Sequence, residues 1–367
     1  MKRTIFKVLA LAVLLLGLPL TGVVAFGRRL SVYLQFPPLT QVVEHAGFSP
    51  VMFALVAFAD LLIFVPVVLF VWRGWSEVHG GEPPARSARP AFPWWGWAGL
   101  LLTIGSWAFA WTRFSFFAPL QPHTFTPLWL GYILVVNGLS FRRNGRSLLV
   151  HRPGLFVALF PASAFFWWFF EYLNRFVQNW HYTAVADFNS VEYVIFASVS
   201  FSTVLPAVIG TRDLLLTFPT FSDGLRDRLS LPLPEKRLPA ALMLLLSGGG
   251  LAAIGVFPDL LFGLLWLSPL LIALALEVLL GERTLLAPAR RGDWRLVVVS
   301  AVSALICGFF WEMWNMWSLS RWEYRIPYVA RFHIFEMPLL GYAGYLPFGL
   351  ECAVVFRWIR RCFGDKE

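Results

Sequence analysis

Glu171 and Glu312 each stand three residues before an asparagine, Asn174 and Asn315, in stretches crowded with aromatic residues: FFWWFFEYLNRFVQNWHY over 165–182 and FFWEMWNMWSLSRWEY over 309–324. Three-residue spacing puts carboxyl and carboxamide on one face of a helix. There the amide donates to the carboxylate and relieves part of its burial cost. An ionisable group in an apolar helix is expensive and points to function, here proton transfer. Each pair is followed by a Trp-x-Tyr motif, Trp180 with Tyr182 and Trp322 with Tyr324, and the next apolar segment opens with a second glutamate, Glu192 or Glu336. Four carboxylates are thus expected near one membrane boundary, where like charges set an acid apart from a base. Glu312, Glu171, Glu336 and Glu192 are the candidate catalytic groups. Asn315, Asn174, Trp311, Trp322, Tyr324, Trp180 and Tyr182 are the candidate binding groups, their indole faces suited to a developing cation. Arg175, beside Asn174, is expected to hold Glu171 ionised. Glu312 has no such neighbour in sequence, so it is expected to be the proton donor and Glu171 the fixed anion. The competing reading leaves the acids solvated at the water interface, with Trp and Tyr forming an ordinary aromatic belt.

The elements that must position these groups occur twice. Glu171 to Glu312 is an offset of 141, and Leu205-Pro206 to Leu346-Pro347 is 141 again. Thr126-Pro127-Leu128 answers Ser268-Pro269-Leu270 at 142, and Arg146 answers Arg283 at 137. A constant offset across four apolar segments predicts a four-helix unit duplicated in tandem, 95–237 and 238–367, after an N-terminal helix pair in 1–94. Four crossings return the chain to its starting side, so the copies should share one orientation, with their symmetry axis along the membrane normal.

The composition demands a bilayer. Of 367 residues 58% are hydrophobic, 18 are Trp and 36 Phe, and mean hydropathy is +0.67. Charged residues make up 14%, against about 25% in an average soluble domain. Ten apolar segments near the length of a span are expected, at about 8–26, 51–72, 95–112, 126–141, 154–177, 191–210, 239–257, 260–280, 296–317 and 335–358. The fold class is therefore an all-α integral membrane protein of about ten transmembrane helices. The net charge of +9 is an orientation signal and not a nucleic-acid one. Arginines fill every second loop (Arg73, Arg86 and Arg89; Arg142 to Arg152; Arg226 to Arg237; Arg283 to Arg295; Arg357 to Lys366). Those loops, and the C-terminus, are expected on the cytoplasmic side of the inner cell membrane, with the Trp-x-Tyr loops facing outward. The segment before Gly27 is read as a retained first helix, the alternative being a signal peptide cut after Ala25.

Other groups extend the candidates. Asp60 lies about ten residues into its segment, roughly 14 Å deep, and joins the binding candidates; Glu351 is similarly deep, while Glu277 is expected at the cytoplasmic interface. His123, His181 and His333 fall in loops of one side without a metal-ligand spacing, so no metal is expected. Cys307, Cys352 and Cys362 suggest neither a disulfide framework nor a thiolate site. Nucleotide-binding and Gly-x-Ser-x-Gly fingerprints are absent from the sequence, and no cofactor is expected.

Trp322-Glu-Tyr324, followed by Phe335-Glu336-Met337-Pro338 and Pro347 to Glu351, resembles the repeat of membrane-bound carotenoid (lycopene) cyclases over about thirty residues. That family also has tandem membrane units with Trp-x-Tyr and Pro/Glu motifs. Its Pro-x-Glu-Glu core is absent from this chain, and the first copy has only Pro206. The resemblance implies a lipid-modifying enzyme. From the residues, the expected function is a membrane-embedded enzyme acting on a lipid or isoprenoid by glutamate acid–base chemistry. The alternatives are a proton-coupled or cation transporter and a non-catalytic membrane partner protein. Membrane lipid and a lipid or small-molecule substrate are the expected partners, without nucleic acid; oligomeric state is not legible.

Overall fold

The computed structural model describes residues 2–37, 44–79, 90–185, 188–230 and 236–364. Arg86, Arg89 and Lys366, used above for orientation, lie outside the described residues. The principal helices are α1 (Lys2–Ala25), α2 (Pro50–His79), α3 (Trp94–Trp111), α4 (Phe125–Asn144), α5 (Pro153–Val177), α6 (Ser190–Phe201), α7 (Val204–Leu215), α8 (Arg237–Ala253), α9 (Leu264–Leu279), α10 (Arg295–Asn315) and α11 (Tyr345–Cys362). The all-helical expectation is met, and a helix coincides with each apolar segment. Among the described residues six stretches are long and apolar enough to cross a membrane: Phe6–Ala25, Pro50–Val78, Pro153–Val177, Ser190–Leu215, Arg295–Asn315 and Leu339–Cys362. A 3-10 turn, Ser115–His123, and α4 make a further pair, bent by 68°. α8 and α9 are shorter, and α3 owes much of its bulk to tryptophan, which hydropathy scores poorly.

The span over Ser190–Leu215 contains a break, and its cause is local. Pro206 has no N–H to give the carbonyl one turn earlier. The opened backbone is satisfied from α5: Ser163 Oγ donates to the Phe201 carbonyl at 2.6 Å and accepts from Leu205 N at 2.9 Å. In an apolar surrounding such repair is obligatory.

Helices pack in corresponding pairs: α3 on α4 and α8 on α9, then α7 on α5 and α11 on α10, while α10 also crosses α7 and α5 crosses α11. The core runs through Trp129, Phe170, Leu205, Cys307 and Phe348. α1 lies along α8 so closely that a side chain at Gly22 would strike the Ala252 carbonyl. Near its start Lys7, only 1% exposed, places Nζ 2.7 Å from Glu282 and 3.8 Å from Glu277. Arg357 approaches Glu277 at 3.5 Å and Arg361 approaches Glu282 at 2.9 Å. Glu277, expected at the cytoplasmic interface, is fully buried in an ion cluster between α1, α9 and α11. Burial is tolerable because two cations face it.

Two short antiparallel pairs cover one end of the bundle. β1 (Trp180–Thr183) pairs with β2 (Arg321–Tyr324), in the register Trp180 to Tyr324 and Tyr182 to Trp322. β3 (His333–Ile334) and β4 (Met337–Pro338) form a hairpin. The last span was expected to open at 335. Instead this hairpin and a 3-10 turn over Leu339–Gly344 intervene, and α11 begins at Tyr345.

Candidate functional site

The β1–β2 pair brings the two Trp-x-Tyr motifs side by side, and each is tied to its own helix by an asparagine. Asn174, at the end of α5, donates from Nδ2 to the Trp180 carbonyl at 2.8 Å and accepts from Trp180 N at 3.4 Å. Asn315, at the end of α10, repeats this on Trp322 at 2.7 and 2.9 Å. The asparagines therefore strap the strands to the helix ends. They do not face the carboxylates, as the three-residue spacing suggested, because the strand's backbone groups claim both amide atoms first.

Each glutamate instead receives ring donors. Glu171 Oε1 accepts from Trp167 Nε1 at 3.0 Å, Trp180 Nε1 at 3.1 Å and Tyr182 Oη at 2.7 Å. Glu312 Oε1 accepts from Tyr324 Oη at 2.8 Å and Tyr345 Oη at 2.6 Å, while its Oε2 has no partner. Exposure is 5% at Glu171 and 0% at Glu312, so neither acid is solvated at an interface. Arg175 acts on Glu171 by charge and gives its hydrogen bonds elsewhere. Its guanidinium donates to the carbonyls of Tyr33 and Gln35 at 3.1 and 2.7 Å.

The donor rings line one cavity of about 140 Å³, open on one side. Trp167, Trp180 and Tyr182 come from the first half of the chain, and Trp311, Trp322, Tyr324 and Tyr345 from the second. Trp266 of α9 closes the floor, stacked on Trp180 at 5.7 Å and on Phe170 at 4.9 Å. Among the described residues Arg321 is the charged one in the lining, and it is paired with Glu323 at 2.8 Å. Glu171 and Glu312 are absent from that lining; they stand one layer behind it, reached through phenol and indole donors. Proton exchange with a bound molecule would therefore run through Tyr324 or Tyr345, and a cation in the cavity would meet ring faces before it met carboxylate oxygens.

The second pair of glutamates does not line this cavity. Glu192 is exposed and closes a capping box at the start of α6, accepting from Asn189 N at 2.9 Å while Asn189 accepts from Glu192 N. An asparagine three residues earlier explains this, since together they satisfy free helix-start amides. Glu336 sits half-buried in the two-residue turn between β3 and β4. Burial pushes its carboxyl above the usual range, and the neighbouring Glu323 carboxylate adds to the shift. Asp60, on α2, does not line the cavity, and its Oδ2 has no partner.

The sequence reading missed Trp167, Trp266 and Tyr345. Trp167 was legible as the residue one helical turn before Glu171; Tyr345 and Trp266 reach the site only through tertiary packing. His123 stacks on Phe196 at 4.0 Å, His181 lies 3.7 Å from Glu323 and His333 is exposed in β3, so the three histidines do not assemble. Among the described residues no group of three His, Cys, Asp or Glu side chains is placed to hold a metal ion, and Cys307, Cys352 and Cys362 are free thiols.

The chain matches no protein-family model, no curated protein and no solved structure. The likeness to carotenoid cyclases therefore rests on the residues between Trp322 and Glu351 alone.

Proposed function

We propose that the protein is an enzyme of the inner cell membrane that moves protons on a lipid or isoprenoid held in the aromatic cavity. In this reading about ten helices cross the bilayer. The helices of 1–94 precede two four-helix units, 95–237 and 238–367, in parallel orientation, with the basic loops and C-terminus cytoplasmic and the cavity facing outward. One observation carries the proposal: rings from both halves of the chain line a single cavity and donate, on its far side, to two buried carboxylates. Glu312, as the acid, passes its proton to the Tyr345 or Tyr324 oxygen as that phenol's proton adds to one double-bond carbon and leaves a cation at the other; loss of a proton from the next carbon by the reverse path forms the new double bond and restores both groups. The net reaction is a double-bond migration that needs no co-reactant. Phenols hydrogen-bonded to carboxylates are electron-rich, and with the indoles they favour a transient cation. Glu171, whose Oε1 takes three donors, serves as the fixed anion that orients Trp167, Trp180 and Tyr182.

Mass spectrometry of lipid co-purified with wild-type protein and with Tyr345→Phe tests this. The expected result is an isoprenoid or unsaturated lipid that the wild type converts to an isomer of equal mass and the variant retains unchanged. A headgroup-only ligand, or equal conversion by both, would overturn it. The transporter reading draws on Glu351, a buried acid that does not line the cavity. Substrate-independent proton flux in sealed proteoliposomes would favour that reading.

A further inference from the structure

The cavity is lopsided. One wall is α6 and the start of α7, through Tyr193, Phe196, Ala197, Ser200, Phe201 and Val204. The matching stretch of the second half, 334–345, contributes Tyr345 alone among the described residues; there the β3–β4 hairpin and a 3-10 turn stand in place of the helix. The α6 wall is also a single helix thick. Val191, Val194, Ile195 and Val199 lie on its other face, 40–68% exposed. Spacings of three, four and eight residues keep them on one side of the helix. They belong to a stretch apolar enough to cross a membrane, so this face meets lipid while the opposite face meets the cavity.

The two edges of α6 are fastened unequally. Toward α5, Trp168 donates from Nε1 to Ser198 Oγ at 2.9 Å, and its ring lies edge-on to Phe201 at 5.2 Å. Phe36 packs over Trp168 and Tyr193 on that same edge. Toward α4 the seam is closed by the hydroxyls of Thr126 and Ser200 at 3.3 Å and by His123, from the 3-10 turn before α4, stacked on Phe196 at 4.0 Å. These four residues are half-buried, so the seam reaches the surface. The ends of α6 are jointed as well. Asn189 and Glu192 cap its start within its own first turn. At Ser202–Thr203 the helix breaks from α7, and Ser163 supplies the hydrogen bonds that continuity would have made.

We propose that the substrate enters the cavity sideways from the bilayer, through the seam between α6 and the start of α4, with α6 hinging on its α5 edge. The inference rests on the reading of the cavity as a lipid site, and it names the part of the lipid that enters: an apolar chain and not a headgroup. Opening the seam parts one ring stack and one hydroxyl pair, and a chain then slides between apolar surfaces. A headgroup taking that route would shed its water for rings.

A disulfide across the seam tests the route. Thr126→Cys with Ser200→Cys places two thiols where the hydroxyls now stand, close enough to bridge. Cys362→Ser is added so that the exposed native thiol does not compete. The full chain is held in phosphatidylcholine nanodiscs carrying deuterated geranylgeraniol, and bound probe is followed over time by mass spectrometry. The oxidised protein should fill at least ~10-fold more slowly than the same protein after dithiothreitol, a barrier increase of about 1.4 kcal/mol. His123→Ala, which removes one half of the ring stack and needs no cross-link, should fill faster than wild type. Equal filling before and after reduction, or a wild-type rate in His123→Ala, would overturn the route: the probe would then enter from the strand end while the site reading stood. Should the reduced protein, the wild type and His123→Ala all bind no probe, the lipid reading of the cavity fails, and the route with it.

Discussion

The Glu171 and Glu312 corners of the cavity share a frame and differ in how it is completed. Both have the asparagine strap, and both have a strand tyrosine donating to the carboxylate. They differ in the further donor. One turn before Glu171 stands Trp167, whose indole bonds the acid from the same helix. One turn before Glu312 stands Gly308, and the vacated space is filled by the Tyr345 ring, which supplies its hydroxyl from α11. The residue before Leu205-Pro206 is Val204, in the place that Tyr345 holds before Leu346-Pro347. Bulk has moved from one helix to the other, a large–small exchange that keeps the space filled. The chemistry does not stay equal. Trp180 bonds Glu171, whereas Trp322 Nε1 and Glu312 Oε2 are left without partners. Much of the asymmetry between the acids therefore comes from residues outside the repeated motif: Trp167 against Gly308, and Tyr345 against Val204.

The largest expected effect lies in the number of donors each acid satisfies. Glu171→Met strands three buried donors and Glu312→Met strands two, at about 1–3 kcal/mol for each. Unfolding in detergent should rank Glu171→Met as the less stable protein, and the opposite rank would break the comparison. Next is the exchange of bulk. An added methyl at Gly308 would sit 2.4 Å from the Tyr345 ring, so Gly308→Ala should cost about 1–3 kcal/mol by overpacking. Tyr345→Val, which copies Val204, should make that substitution milder, with coupling beyond ~0.5 kcal/mol. Additive losses would show that Gly308 and Tyr345 are not a matched pair.

How much of this was legible follows from the same residues. The spacing Glu-x-x-Asn followed by Trp-x-Tyr marked the two corners because the chain carries it twice. The sequence could not say what the asparagines bond, since a side-chain amide near a helix end chooses between a neighbouring carboxylate and free backbone groups, and the strand geometry decides. Glu192 and Glu336 looked like a second matched pair, but their neighbours differ. Asn189 turns one into a helix cap, and the β3–β4 turn claims the other. Tyr345 was hidden because nothing local distinguishes a tyrosine that reaches a neighbouring helix from one at an aromatic belt.

A smaller effect is expected where the corners agree. Asn174→Ala and Asn315→Ala each remove two hydrogen bonds to a strand backbone, worth about 1 kcal/mol apiece. Unlike the glutamate variants, they should lose equal stability, within ~0.5 kcal/mol, when unfolded side by side. A clear difference would show that the shared frame is itself unequal and that the asymmetry begins at the strap.

The smallest effect separates Glu336 from Glu192, the pair that sequence placed together. Burial raises the Glu336 carboxyl from its ordinary 4.5, with Glu323 adding to the shift and Arg321, His333 and Arg325 opposing it. A carboxyl raised in the folded state holds its proton where the unfolded chain has lost it. The folded protein then binds more protons than the unfolded one, and stability falls as pH rises through that window. Glu336→Gln stays neutral throughout and escapes the penalty. Its unfolding temperature should match the wild type at pH values below 4.5 and exceed it increasingly above. The gain is modest because the side chain is half-exposed and solvent screens it. A gap that stays constant with pH would show that the β3–β4 turn leaves Glu336 as well solvated as any exposed acid, one that closes as pH rises would show that Arg321, His333 and Arg325 outweigh its burial, and in either case the contrast with the buried corners would sharpen to Glu171 and Glu312 alone.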